Sequence, residues 1–224
     1  MARVVTLLGG ESTGKTTLAH ALVGALAASG VATTLVPEHL RQWCSQHQRA
    51  PHMHEQAGLA REQARRIDLA AADPAIALVI ADTAPLVIAA YSELYFHDPS
   101  LTREALDWHA RVDLTLLTGL DLPWVPDGLF RDSPAVRDAT DAVLRRELQG
   151  AGLAFQTVHG QGEARVIQAL RAIGRLLGRD LTGTDPAWTR GRRAWTCETC
   201  GDPECEHRLF SGLLNHNAQR ETST

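Results

Sequence analysis

The chain has 224 residues, 44% hydrophobic and 21% charged, the balance of a soluble globular protein long enough to bury a core. Its formal charge of −4 gives no general attraction for nucleic acid or an anionic membrane, and no apolar run approaches the roughly 20 residues of a membrane span. The N-terminal apolar run is too short for a secretory signal, so the sequence reads as cytoplasmic; its four cysteines then point to metal ligands or free thiols rather than disulfides.

Residues 4–8 form an apolar, β-rich run that ends at a glycine turn, the pattern of a buried first strand. The turn reads Gly9-Gly10-Glu11-Ser12-Thr13-Gly14-Lys15-Thr16, followed by Thr17, and matches the GxxxxGK[ST] phosphate-binding P-loop. Lys15 is the single lysine among 22 lysines and arginines. A lysine ammonium is a compact point charge on a flexible stem, so it fits a tight loop where a guanidinium fork does not. Leu18, Ala21, Leu22, Ala25 and Leu26 follow at helical spacing, with Gly30 as a stop. This strand–loop–helix context predicts ATP binding: loop amides and the helix N-terminus cradle phosphates, Lys15 reaches the β- and γ-phosphates, and Thr16 offers a hydroxyl to Mg²⁺.

Residues 32–36 form a second strand candidate, ended by Pro37. Glu38 and Arg41 lie just beyond it, on the crevice side of an α/β sheet. A carboxylate there can accept a substrate hydroxyl's proton, and an arginine can bind phosphate or substrate oxygens; the competing reading is a surface ion pair at a helix start. The stretch 38–72 is polar, rich in Gln and Arg, and predicted mostly helical. Residues 76–81 are continuously apolar and end in Asp82, as in a buried parallel strand carrying a Walker-B carboxylate for Mg²⁺. The alternative is that Asp82 or Thr83 caps the helix that follows.

A fourth strand is predicted at 112–117 and a fifth at 154–158, with Val166, Leu170, Ile173, Leu176 and Leu177 marking a closing amphipathic helix. Between them, two prolines and a glycine make residues 123–133 a loop, bracketed by Arg131 and Arg137. That loop reads as a lid whose arginine neutralises transferring phosphate, or as a solvated turn. The alternation predicts an α/β P-loop NTPase with a parallel five-stranded sheet flanked by helices over residues 1–180, and a small Cys/His-rich extension over 181–224.

Within that extension Cys197, Cys200, Cys205 and His207 supply three thiolates and an imidazole in one short segment, the donor set Zn²⁺ prefers for a structural site. A free-thiol tail packed by Trp188, Trp195 and Phe210, or a redox CxxC, are the competing readings. Cys44 stands apart in sequence and reads as a small buried hydrophobe. Arg190, Arg192 and Arg193 are too few, in an acidic chain, to argue for nucleic acid.

Four segments together resemble the ribosylnicotinamide kinase domain of the NadR family: GGESTGKTTL at 9–18, PEHLR at 37–41, IADTAPLVIAAYSELYF at 80–96 and DLPWVPDGLFRDSP at 121–134. The resemblance covers residues 3–178 and is carried most specifically by the last segment. It implies a nucleoside-kinase-like domain that transfers the ATP γ-phosphate to the 5′-hydroxyl of nicotinamide riboside, giving the mononucleotide in NAD biosynthesis. It places Glu38 at the substrate, Asp82 on the metal side, and 127–137 as the lid. Arg131 would then serve catalysis, and Asp127, Arg137 and Arg41 the substrate. Trp43, Tyr91, Tyr95 and Trp124 are candidates to stack on a nicotinamide ring, or simply core residues. The DNA-binding and adenylyltransferase domains of full-length members have no counterpart in this sequence, and Phe130 interrupts the Gly-Leu-Arg order of the lid. The other functional class consistent with the motifs is a nucleotide-gated ATPase whose zinc tail contacts a partner.

Overall fold

Strand alternation sets the two faces of the molecule, in a computed structural model that describes residues 1–126 and 133–183. In β1 (Arg3–Leu8), Val5 and Leu7 enter a core shared with α1 (Lys15–Ala28) and α7 (Gly162–Leu177). Leu8 enters the opposite core, built on α4 (Pro85–Phe96), α5 (Thr102–His109) and α6 (Pro134–Gly150). The strands β2 (Thr33–Val36), β3 (Leu78–Asp82), β4 (Leu114–Thr118) and β5 (Gln156–Val158) complete a five-stranded sheet in the order β2-β3-β1-β4-β5. All four pairings are parallel. Every strand therefore delivers its C-terminal end to the same edge, and the loops that follow β1, β2, β3 and β4 meet there.

The segment 38–72 is two helices, α2 (His39–His47) and α3 (Met53–Ala72). The break follows from Gln48, left-handed at φ 53°, and from Pro51, which holds the chain extended before α3. Glu55 then fixes the start of α3 by accepting from the His52 amide at 2.7 Å. Asp82 is the last residue of β3, and the cap of α4 is Ala84 with Pro85 in the first turn. The capping alternative for Asp82 and Thr83 is thereby overturned: proline presets the helical φ and needs no partner for a missing N–H. Among the described residues no helix is long and apolar enough to cross a membrane.

Candidate active site

The backbone of the loop after β1 packs closely against side chains. Gly9 sits at φ 147°, where an added Cβ would stand 2.1 Å from the Thr118 hydroxyl at the end of β4. That hydroxyl lies within hydrogen-bonding distance of the Leu8 carbonyl (3.0 Å) and of Thr13 Oγ1 (2.7 Å), while Thr13 itself donates to the Gly10 carbonyl at 2.8 Å. Gly14, left-handed at φ 75°, turns the chain into α1. The buried Lys15 side chain folds back over the loop and donates from Nζ to the carbonyls of Gly9 (3.0 Å) and Gly10 (2.8 Å). The first amides of α1 have no partner within the helix, an arrangement suited to an anion.

Asp82 shares sheet parity with Leu78 and Ile80, which face α1, so its carboxylate is presented to the first turn of that helix. There Thr16 Oγ1 donates to Asp82 Oδ2 at 2.6 Å. Asp82 Oδ1 is buried with no hydrogen-bond partner among the described residues. A hydroxyl and a carboxylate oxygen with spare lone pairs are hard donors that suit Mg²⁺. The next residue, Thr83, is buried at φ 84°, a conformation costing a β-branched residue on the order of 1–3 kcal/mol and concentrated in proteins at functional sites.

A cavity of about 560 Å³ opens beside the loop, lined on one side by residues 11–17 and on the other by Glu38, Arg41 and the α2, α3 and α4 walls. Glu38 projects from the N-cap position of α2. Burial raises its carboxyl above the ordinary carboxylate value; the Asp82 charge adds to this, and Lys15 and Arg41 oppose it. Its backbone is clamped from α3: the fully buried Gln63 accepts from the His39 amide at 2.7 Å and donates to the Pro37 carbonyl at 3.5 Å. One side chain thus holds the peptide groups on both sides of Glu38.

The remaining candidates distribute as follows. Tyr91 and Tyr95 line the cavity, their rings 6.1 Å apart. Trp43 is not in its wall but stacks on His47 at 4.0 Å under the Arg49 guanidinium. Trp124 is likewise outside the wall, in a segment tied to the loop by the Val125 amide, which donates to Ser12 Oγ at 2.8 Å. Arg137, at the start of α6, packs on the loop rather than in the cavity: a Cβ on Gly10 would meet its carbonyl oxygen at 2.7 Å, and its Nη1 donates to the Leu122 carbonyl at 2.9 Å. Asp127, Arg131, Cys197, Cys200, Cys205 and His207 lie outside the described residues.

Sequence reading missed Gln63, and it missed Arg165 on α7. Arg165 is 4% exposed and donates from Nη2 to the Thr13 carbonyl at 2.7 Å, bracing the loop from behind. Burial pulls its guanidinium below the ordinary arginine value, with Asp121 opposing. Both residues carry a signal that was available: each is a polar residue at a position of its helix's buried stripe, Gln63 with Leu59, Ala60 and Ile67, and Arg165 with Ala169, Ala172 and Ile173.

The AAA domain family model matches residues 4–165. No curated protein matches the chain. A crystal structure of NadR protein in complex with NAD and AMP-PNP has the same fold, with a TM-score of 0.64 at 23% identity over 79% of this chain and 50% of that one. A second, of NadR protein in complex with NR, gives 0.64 at 22% identity over 79% of this chain and 52% of that one. The chain spans about half the length of these structures.

Proposed function

The chain belongs to the AAA domain family of P-loop proteins, and from that premise we propose that it is an ATP-dependent kinase that phosphorylates nicotinamide riboside or a closely related nucleoside. The observation that carries this reading is that Glu38 and the phosphate loop line one cavity. A simple nucleotide switch has no need of a carboxylate facing its phosphate loop across a pocket of substrate size. The fold shared with NadR protein, one structure of which holds NR, supports the choice of acceptor.

In this mechanism the loop amides and Lys15 hold the β- and γ-phosphates, and Lys15 exchanges its contacts with the Gly9 and Gly10 carbonyls for phosphate oxygens. Thr16 and Asp82 would hold Mg²⁺, which when bound supplies charge neutralisation at the phosphates. Glu38 orients the acceptor hydroxyl and takes its proton as the new O–P bond forms and the bond to ADP breaks. We assign the proton to Glu38 rather than Asp82 because Asp82 is engaged with Thr16. Burial also brings Glu38 toward the pH at which a base works best. Arg41 would contact substrate oxygens from the cavity wall. From the sequence pattern, Asp127 and Arg131 are assigned to closure over the substrates and Arg137 to supporting the loop. Gln63 and Arg165 position without touching substrate. Catalysis of this kind is mostly positioning and charge stabilisation.

The extension beyond residue 183 is proposed to bind structural zinc through Cys197, Cys200, Cys205 and His207, on donor chemistry and spacing alone. The kinase reading is tested by ADP release from the purified protein across a panel of nucleosides. Acceptor-dependent turnover supports it; a rate that no nucleoside changes favours the nucleotide-gated alternative.

A further inference from the structure

The buried stripe of α3 contains Gln56, Leu59, Ala60, Gln63, Ile67 and Ala71. Two glutamines occupy positions where the helix otherwise buries apolar side chains. Gln63 is accounted for by the peptide groups around Glu38. Gln56 is not. It is 3% exposed, it lines the cavity, and its Oε1 has no hydrogen-bond partner among the described residues. A buried amide oxygen left unpaired is costly, and such groups in native structures call for an explanation. The walls around it supply one: Leu40, Cys44, Tyr91, Tyr95 and Phe96 form an apolar and aromatic lining suited to a flat ring. A planar ligand there would be seen by a single polar side chain of α3 with a lone pair to fill.

We infer that Gln56 reads the substituent on the acceptor's ring, its side-chain oxygen accepting the N–H of a primary carboxamide, and so selects a carboxamide-bearing riboside over the corresponding carboxylate. The inference rests on the kinase reading of the same cavity. A carboxamide presents one donor and one acceptor, the complement of the donor and acceptor of a glutamine amide. A carboxylate presents acceptors only, so it leaves Oε1 unpaired. A site built around a polar contact rejects analogues lacking it far more strongly than an apolar pocket rejects a change of size.

The test is the ratio of kcat/KM for nicotinamide riboside to that for nicotinic acid riboside, with ATP and Mg²⁺, in the full chain and two variants. The expected ratio is on the order of 100 or more in the parent chain. Gln56→Met, of similar volume but without the acceptor, is expected to bring it to within about tenfold of unity by raising KM for the carboxamide, with KM for ATP unchanged. Gln56→Glu keeps an acceptor oxygen and is expected to retain the preference. A preference for the carboxylate in the parent chain, or a ratio unmoved by Gln56→Met, overturns the assignment alone. Product from neither riboside, in protein whose melting temperature rises with ATP, overturns the kinase reading and this inference with it.

Discussion

The Thr16 hydroxyl donates to Asp82 Oδ2 at 2.6 Å, joining the first turn of the P-loop helix to the last residue of β3. The contact exists because parallel pairing of β3 with β1 sets Asp82 opposite Leu7, two residues before Gly9. Oδ1 of the same carboxylate is buried without a partner among the described residues. We propose that a hydroxyl and a carboxylate brought together this way are the protein's share of a Mg²⁺ site. Asp82→Asn keeps the size and the hydrogen-bonding ability of the side chain and removes its charge. It is expected to raise the Mg²⁺ concentration for half-maximal turnover on the order of 10–100-fold. Titrating Mg²⁺ at saturating ATP measures this; an unchanged midpoint would place the metal elsewhere.

In the proposed mechanism Glu38 links activity to stability with opposite signs. Its carboxyl is raised above the ordinary value of 4.5, chiefly by burial. The folded chain therefore holds this proton to higher pH than the unfolded chain does, and ionising Glu38 destabilises the fold as pH rises through that window. Glu38→Gln should lower kcat by on the order of 10²–10⁴-fold and abolish the acid limb of the pH profile, which in the parent lies above the ordinary carboxylate range. The same variant should melt at a higher temperature than the parent at pH 7. The gap should close as pH is lowered to the ordinary carboxylate value. Melting curves at a series of pH values decide the point; a variant less stable than the parent at pH 7 contradicts it.

Gln63 is expected to matter to catalysis without touching substrate. Gln63→Leu leaves the His39 amide and the Pro37 carbonyl without their side-chain partner. The stability cost is about 1–3 kcal/mol for the buried groups left unpaired, measurable by denaturant unfolding. With Glu38 no longer clamped, kcat should fall about tenfold or more while KM for ATP stays the same. Gln63→Glu, which retains an acceptor for the His39 amide, should recover part of kcat. Equal losses in kcat for both variants would show that the clamp is structural only.

The sheet and the phosphate loop were legible because local pattern determines them. Five apolar runs, each near the length of a strand, became five parallel strands, with ends moved by one or two residues. Asp82 was readable as the polar end of a continuous apolar run. What could not be read was the contact between distant segments. Nothing near Arg137 in sequence says that it packs on Gly10, because that pairing depends on how α6 crosses the loop. Trp43 and Tyr91 look alike as aromatic candidates, yet Tyr91 lines the cavity while Trp43 stacks on His47. Gln56, Gln63 and Arg165 fall between these cases. Their helical spacing placed them on buried stripes, but a 38–72 segment read only as polar and helical hid the two glutamines.

The C-terminal extension makes an independent prediction. If Cys197, Cys200, Cys205 and His207 hold zinc, the purified chain should carry about one zinc per molecule, by the four-ligand rule for structural sites. His207→Ala should lower that content, and a strong chelator should remove the metal while leaving ATP binding intact. Unchanged zinc in His207→Ala would exclude this ligand set.

The central claim is that one cavity brings a nucleotide's γ-phosphate to a nucleoside hydroxyl under Glu38. The most direct measurement is incubation of the purified chain with ATP, Mg²⁺ and nicotinamide riboside, with the products resolved by mass spectrometry. The account predicts nicotinamide mononucleotide and ADP in equal amounts, both lost together in Glu38→Gln. ATP binding without any phosphorylated riboside, or mononucleotide formed as fast by Glu38→Gln as by the parent, would contradict it.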